Sequence, residues 1–368
     1  MIKSKKLLVV GVIAALGLAA CGSDSDSSSS SEAPAATDAT TATDAPTGTD
    51  AATEGTAAAG DCKVGVVYDI TGRGDKSFND AAAAGLDKAK AELGVTGSES
   101  TPTGDGDRAE RVQGLVDEGN DLVVAVGFLF DDAITEATAS NPDTAFAIID
   151  GNSEAPNLAT LKFAEEQGSF LVGAAAALKS QTGTIGFIGG VEIDLIKKFE
   201  AGYAAGAKAV NPDIEILSNY ITQPPDFNGF NDPAKGKEIA TSQYEAGADI
   251  IYAAAGSSGL GVFQAAAEAG EPGSVWAIGV DSDQYNLVEP ALQPYILTSM
   301  LKKVDVATFE EIKAVCEGGE STGVKTFDLA ADGVGYSTSG GFVDDIADQL
   351  DAFKEQIVSG EIVVPTAP

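Results

Sequence analysis

Residues 122–149 read LVVAVGFLFDDAITEATASNPDTAFAII. Two short apolar runs, LVVAV (122–126) and TAFAII (144–149), bracket a helix-forming segment at 131–140. The first run contains no polar residue, so neither face of its strand can be turned to water. Strands buried on both faces and joined through helices belong to a parallel sheet covered on both sides. The same alternation extends through the body of the chain. Strands are expected at 63–68 (KVGVVY), 158–163, 184–188 (TIGFI, ended by Gly189-Gly190), 214–220, 249–254 (DIIYAA), 275–280 (VWAIGV) and 296–300. Helices are expected at 80–93, 107–118, 165–179, 195–210, 234–246, 259–269 and 304–316, with a closing amphipathic helix at 342–359. This is too much strand for one compact sheet, and two similar doubly wound lobes account for it. Ligands of such sheets sit beyond the carboxyl ends of the strands.

The N-terminus has a different character. Lys3, Lys5 and Lys6 precede an apolar run, and Leu18-Ala19-Ala20 precedes Cys21. A basic start, a short apolar stretch and small residues before a cut have the layout of an export signal. The run is shorter than the roughly 20 residues a bilayer requires. A Cys directly after Leu-Ala-Ala resembles a bacterial lipoprotein cleavage site. Residues 1–20 are therefore read as a lipoprotein signal peptide and Cys21 as the lipidated residue. Residues 21–61 are Ser, Thr, Ala, Asp and Gly with little else. Such a composition cannot bury enough apolar surface to offset chain entropy, and an acidic disordered tether is expected. The protein is expected at the cell membrane, anchored by lipid and facing the periplasm or the extracellular side.

The formal net charge is -34 over 368 residues, and loss of the leader would make it three units more negative. That argues against nucleic acid as a partner, because such binding rests on cationic contacts to phosphate. It also favours a monomer. There is no His, which removes Ser-His-Asp and Cys-His catalysis and His metal ligands. Neither a cofactor nor a metal is expected. With Cys21 lipidated, Cys62 and Cys316 remain, and two thiols in an oxidising compartment suggest a disulfide.

The strand ends carry the candidate binding groups. After the first strand comes Asp69-Ile-Thr-Gly-Arg-Gly-Asp-Lys-Ser-Phe-Asn79-Asp80, in which Asn79 or Asp80 would cap the next helix. Asp69 and Phe78 are the groups a cleft would use. Later strands end at Gly127-Phe128, Asp150-Gly151-Asn152, Gly256-Ser-Ser-Gly-Leu-Gly261, Asp281-Ser-Asp283-Gln284 and Leu301-Lys302-Lys303.

These segments resemble a known family. Asp-Lys-Ser-Phe-Asn (75–79), Val-Gly-Phe (126–128) and Asn-Pro-Asp-Thr-Ala-Phe-Ala-Ile-Ile-Asp (141–150) are similar to the basic membrane protein lipoproteins. So are Phe-Asn-Asp-Pro-Ala-Lys-Gly-Lys (230–237), Gly-Val-Asp-Ser-Asp-Gln (279–284) and Thr-Ser-Met-Leu-Lys-Lys (298–303). The family comprises substrate-binding proteins of ABC transporters, typified by a purine nucleoside receptor. The resemblance implies an α/β type I periplasmic-binding-protein fold, with two doubly wound parallel-sheet lobes joined by a multi-strand hinge. Lobe I would span 62–163, completed by about 303–320, and lobe II 164–302, completed by about 321–368. The chain would cross near Phe163, near Lys302 and soon after Gly319.

The resemblance further implies ligand contacts from Asp69, Asn79 and Asp150, with Phe78 stacking on a base. Gly256, Asp281 and Lys302 would act from the second lobe and the hinge, with Asp281 on ribose hydroxyls. A second stacking ring would come from Phe227 or Phe230, and Phe230 is preferred because it abuts Asp-Pro-Ala-Lys. The implied partners are a nucleoside, foremost a purine nucleoside, and an ABC permease. The segment Ile70-Thr71-Gly72-Arg73 departs from the Gly-rich loop usual in the family.

Three other readings compete with this one. A dinucleotide-dependent enzyme is disfavoured because Gly256-x-x-Gly259-x-Gly261 is not the G-x-G-x-x-G fingerprint. A sugar- or signal-binding lipoprotein of the same fold remains an alternative. An adhesin reading rests on Arg73-Gly74-Asp75, whose occurrence in this loop is read as chance.

Overall fold

The structure, a computed structural model, describes residues 61–104 and 106–368. The expected signal peptide, Cys21 as the expected lipidated residue, and the expected tether as far as residue 60 lie outside the described residues.

The first lobe is built from β1 (Lys63–Val67), α1 (Phe78–Leu93), β2 (Thr96–Ser100), α2 (Arg108–Asp117), β3 (Leu122–Val126), α3 (Asp131–Ser140), β4 (Ala145–Ile149) and β5 (Leu158–Phe163). The second is built from α4 (Glu165–Lys179), β6 (Thr184–Val191), α5 (Asp194–Val210), β7 (Glu215–Thr222), α6 (Pro233–Glu245), β8 (Ile250–Ala254), α7 (Gly259–Ala269), β9 (Trp276–Asp281) and β10 (Ile296–Lys302). The chain then returns to the first lobe through α8 (Val304–Cys316) and β11 (Gly323–Phe327), and to the second through β12 (Val334–Tyr336) and α9 (Ala347–Val358).

The sheets have matching orders, β11-β5-β4-β3-β1-β2 and β12-β10-β9-β8-β6-β7. Every pairing is parallel except β10 with β12. Thus β4 in one lobe corresponds to β9 in the other, and β5 to β10. The apolar runs β3 and β8 are buried along their full lengths, which is why their sequences show no alternation. α8 packs on α1, and a disulfide joins Cys62, just before β1, to Cys316 at the end of α8, with Cα atoms 5.6 Å apart. α9 packs on α4 of the second lobe, where Phe353 meets Phe170 edge-on at 5.5 Å.

Several boundaries differ from the sequence reading. β2, β11 and β12 were not anticipated, and all three are edge strands. The last crossing falls after Phe327 rather than soon after Gly319, because β11 completes the first sheet. β6 does not end at Gly189-Gly190 but runs through both to Val191. Lys302 is the last residue of β10 and not part of a following loop. The closing helix begins at Ala347, after a 3₁₀ turn at Asp344–Ile346.

Candidate functional site

All eight candidate binding residues line one cleft between the lobes, with about 640 Å³ of space including its open mouth. Asp69, Phe78, Asn79 and Asp150 reach it from the first lobe, and Phe230, Gly256, Asp281 and Lys302, the last residue of β10, from the second.

The loop after β1 is organised by Asp75. Its buried carboxylate accepts from the backbone N–H groups of Ser77 (3.0 Å), Asn79 (2.8 Å) and Asp80 (3.1 Å). Asp75 therefore satisfies the open donors at the start of α1, in place of the expected cap from Asn79 or Asp80. Burial raises its pKa, against those three N–H groups. Asn79 is spent inside the same loop. Its Oδ1 accepts from Asp69 N at 2.9 Å, and its Nδ2 donates to Thr71 Oγ1 (2.7 Å) and Asp75 Oδ2 (3.0 Å). Both amide hydrogens are used, so Asn79 shapes the cleft wall more than it offers donors to a ligand. The Arg73 guanidinium pairs with Asp87 at 2.9 Å and Glu99 at 2.6 Å, so Arg73-Gly74-Asp75 is not presented as an adhesive tripeptide.

Asp150 and Asp281 occupy equivalent places at the ends of β4 and β9. Both sit in the left-handed backbone region, at φ +62° and +63°, which non-glycine residues seldom adopt. Such strain persists where surrounding structure imposes it, and it clusters at binding sites. Here it aims two carboxylates into one cleft. Asp281 Oδ2 accepts from Ser77 Oγ at 2.6 Å, across the lobes, while its Oδ1 makes no hydrogen bond among the described residues. Further bonds across the gap run from Ser282 Oγ to Ser77 O (3.0 Å) and from Gln284 Nε2 to Lys76 O (2.9 Å). The start of α1 is thereby stitched to the end of β9, and the lobes stand closed.

At the hinge end, Lys302 Nζ lies 2.5 Å from Asp150 Oδ2 and 3.1 Å from Glu165 Oε1, with only 2 % of its side chain exposed. The rings of Phe163, Phe78 and Phe199 surround it at 5.0, 5.1 and 5.6 Å. Burial pushes the Asp150 carboxyl up to about 6, with Lys302 opposing and Glu165 adding. Burial likewise pushes Asp281 up to about 6, against Lys302 and the Ser77 hydrogen bond. For Lys302, burial acts downward, but Asp150, Glu165 and Asp281 outweigh it and hold the ammonium above the ordinary lysine range.

The aromatic walls settle which ring faces the cleft. Phe230, on a short turn at Asn228–Phe230, lines it. Phe227 instead meets Phe128 of the first lobe edge-on at 5.8 Å, beside the cleft. Phe230 lies so close to β6 that a Cβ on Gly190 would fall 2.4 Å from its Cδ1. Gly190 thus interrupts no strand; it leaves room for the ring. Asp75, Glu165 and Phe199 were missed by the sequence reading. The one signal available for Asp75 was its place in the Asp-Lys-Ser-Phe-Asn motif.

A cleft of this kind can hold a flat ring against Phe78 and Phe230 and can accept hydrogen bonds from hydroxyl groups at its carboxylates. Residues 62–367 match the family described as "ABC transporter substrate-binding protein PnrA-like". The chain is 35 % identical over 325 residues to a CD4+ T-cell-stimulating antigen of Listeria monocytogenes, covering 84 % of this chain and 89 % of that one. It is 33 % identical over 324 residues to the ABC transporter nucleoside-binding protein BmpA of Lactococcus lactis subsp. cremoris, covering 83 % and 90 %. Among solved structures, an ABC transporter solute-binding protein from Aeropyrum pernix superposes with a TM-score of 0.72 at 30 % identity, covering 83 % of this chain and 94 % of that one. An arabinose-binding protein from Geobacillus stearothermophilus shares the fold, with a TM-score of 0.56 at 14 % identity and coverage of 80 % and 99 %. With this architecture and these relatives, the chain belongs to the Bmp family of PnrA-like substrate-binding proteins, extracytoplasmic components of ABC transporters.

Proposed function

We propose that this protein captures a nucleoside, foremost a purine nucleoside, in the interlobe cleft and presents it to the permease of an ABC importer, held at the membrane by lipid on Cys21. The observation that carries the reading is the pairing of Phe78 from one lobe and Phe230 from the other in a cleft whose charged lining includes Asp150, Asp281 and Lys302. A flat base gains stacking and apolar burial between the two rings. Ribose hydroxyls donate to the open oxygen of Asp281 and to Asp150. The ammonium of Lys302 is already balanced by Asp150 and Glu165, so the cleft offers no surplus positive charge for a phosphate. The name of the Lactococcus lactis relative supports the ligand class. Closure of the lobes buries the ligand and creates the surface a permease reads.

The test is a thermal-shift screen of ligand-stripped protein against nucleosides, free bases, pentoses and hexoses. Ligand bound by the native state raises Tm. A rise with guanosine, inosine or adenosine and little with sugars supports the reading. A rise with sugars alone replaces the ligand class.

A further inference from the structure

We propose that Glu165 is a positioning residue for ligand binding: it holds the Lys302 ammonium on the second lobe, so that a donor of that ammonium faces the cleft when the ligand arrives. The inference rests on the cleft being the nucleoside site.

Glu165 is the first residue of α4, directly past the crossing that follows β5, and its side chain is 1 % exposed. It does not line the nucleoside cleft but the chamber beside it, with Lys198 and Phe227. Oε1 lies 3.1 Å from Lys302 Nζ, and Oε2 lies 3.3 Å from Nζ of Lys198 on α5. The start of a helix is also where a negative charge is favoured. Glu165, Lys302 and Lys198 all belong to the second lobe, whereas Asp150, the other partner of Lys302, belongs to the first.

Opening the lobes draws Asp150 away from Lys302. A buried ammonium left without a counter-charge is costly, and a lysine on its flexible stem would turn toward water. Glu165 travels with Lys302 and keeps it paired in the open state. The ammonium has three donors. Asp150 and Glu165 flank it on two sides and aromatic rings on others, and Lys302 itself lines the cleft. The side left open is the one the ligand meets.

The test is calorimetric titration of inosine and guanosine into the wild type, Glu165→Gln, Lys302→Met and the double variant. Loss of a charge-assisted contact predicts weakening of roughly tenfold to a hundredfold for Glu165→Gln. Because the effect passes through Lys302, Glu165→Gln should add less than about twofold in the Lys302→Met background. Wild-type-like affinity, or the same factor in both backgrounds, overturns the proposal. Should Glu165→Gln fail to fold, Glu165→Asp keeps the charge while withdrawing it by one methylene. An intermediate loss is expected there, and unchanged affinity again overturns the proposal. A second readout needs no ligand. NMR of lysine ammonium groups should show one slowly exchanging signal, absent in Lys302→Met and exchanging faster in Glu165→Gln; equal exchange contradicts the proposal. If the wild type binds no nucleoside, the reading of the cleft fails, and the ammonium signal still decides the role of Glu165.

Discussion

Replacing Phe230 by Ala tests which ring of the 226–231 segment holds the base. Phe230 is half-buried and its remaining face lines the cleft, whereas Phe227 is turned onto Phe128. Losing a stacking partner costs about 0.5–1.5 kcal/mol beyond area burial. Burying the remaining half of a Phe side chain contributes roughly half of the 1.5–3 kcal/mol for a whole one. Together these give about 1.3–3 kcal/mol, or roughly 8- to 150-fold in Kd. Phe227→Ala removes only an edge-on contact between the lobes and should weaken binding by no more than about fivefold. Gly190→Ala supplies an independent arm. Its Cβ would stand 2.4 and 2.6 Å from Cδ1 and Cε1 of Phe230, so the ring must retreat by about 1 Å to reach ordinary contact. A loss of roughly fivefold is expected, from a residue that does not line the cleft. The assay is isothermal titration with inosine, alongside Tm to confirm folding. The reasoning is refuted if Phe227→Ala costs as much as Phe230→Ala, or if Gly190→Ala binds like wild type.

Three further outcomes follow from the same geometry. Asp281→Ala should weaken nucleoside binding by about 1–3 kcal/mol in titrations, since it removes both the acceptor for ribose and the inter-lobe bond to Ser77. Acid should act oppositely on affinity and on stability between pH 7 and 5. Asp150 and Asp281 are raised to about 6 in the folded, ligand-free protein, so it binds more protons than the unfolded chain, and these two groups add stability as pH falls through 6. A bound hydroxyl donates to the ionised form and lowers these pKa values, so affinity declines as pH falls below about 6. Titrations and thermal melts across that window check both signs, and Asp150→Asn with Asp281→Asn should flatten both trends. Reduction of Cys62–Cys316 opens a loop spanning 254 residues and should cost about 3–5 kcal/mol, read as a drop of several degrees in Tm on adding a reductant.

The central strands were legible because burial on both faces writes itself as an unbroken apolar run. KVGVV, LVVAV and IIYAA need no context to be read. TGSES in β2 contains no apolar side chain and is held by backbone pairing to β1 on one side only. The same edge position hid β11 and the three-residue β12. Residues after strands were legible as a site because the fold places them there, and Asp69, Asp150 and Asp281 needed no more than that rule. Glu165 and Phe199 were hidden because they belong to helices, where a carboxylate at the first turn or an aromatic on the apolar face has an ordinary reading. Gly189-Gly190 misled in the other direction. Glycine commonly ends a strand, and only the position of the Phe230 ring shows that here it keeps space open within one.

The measurement that tests the account most directly is calorimetric titration of protein unfolded and refolded to remove co-purified ligand, against a purine nucleoside, its 5′-monophosphate and D-ribose under one set of conditions. The account predicts saturable one-to-one binding of the nucleoside, much weaker binding of the monophosphate and none of ribose at the same concentrations. Saturation by ribose or a hexose with no heat from the nucleoside would contradict it.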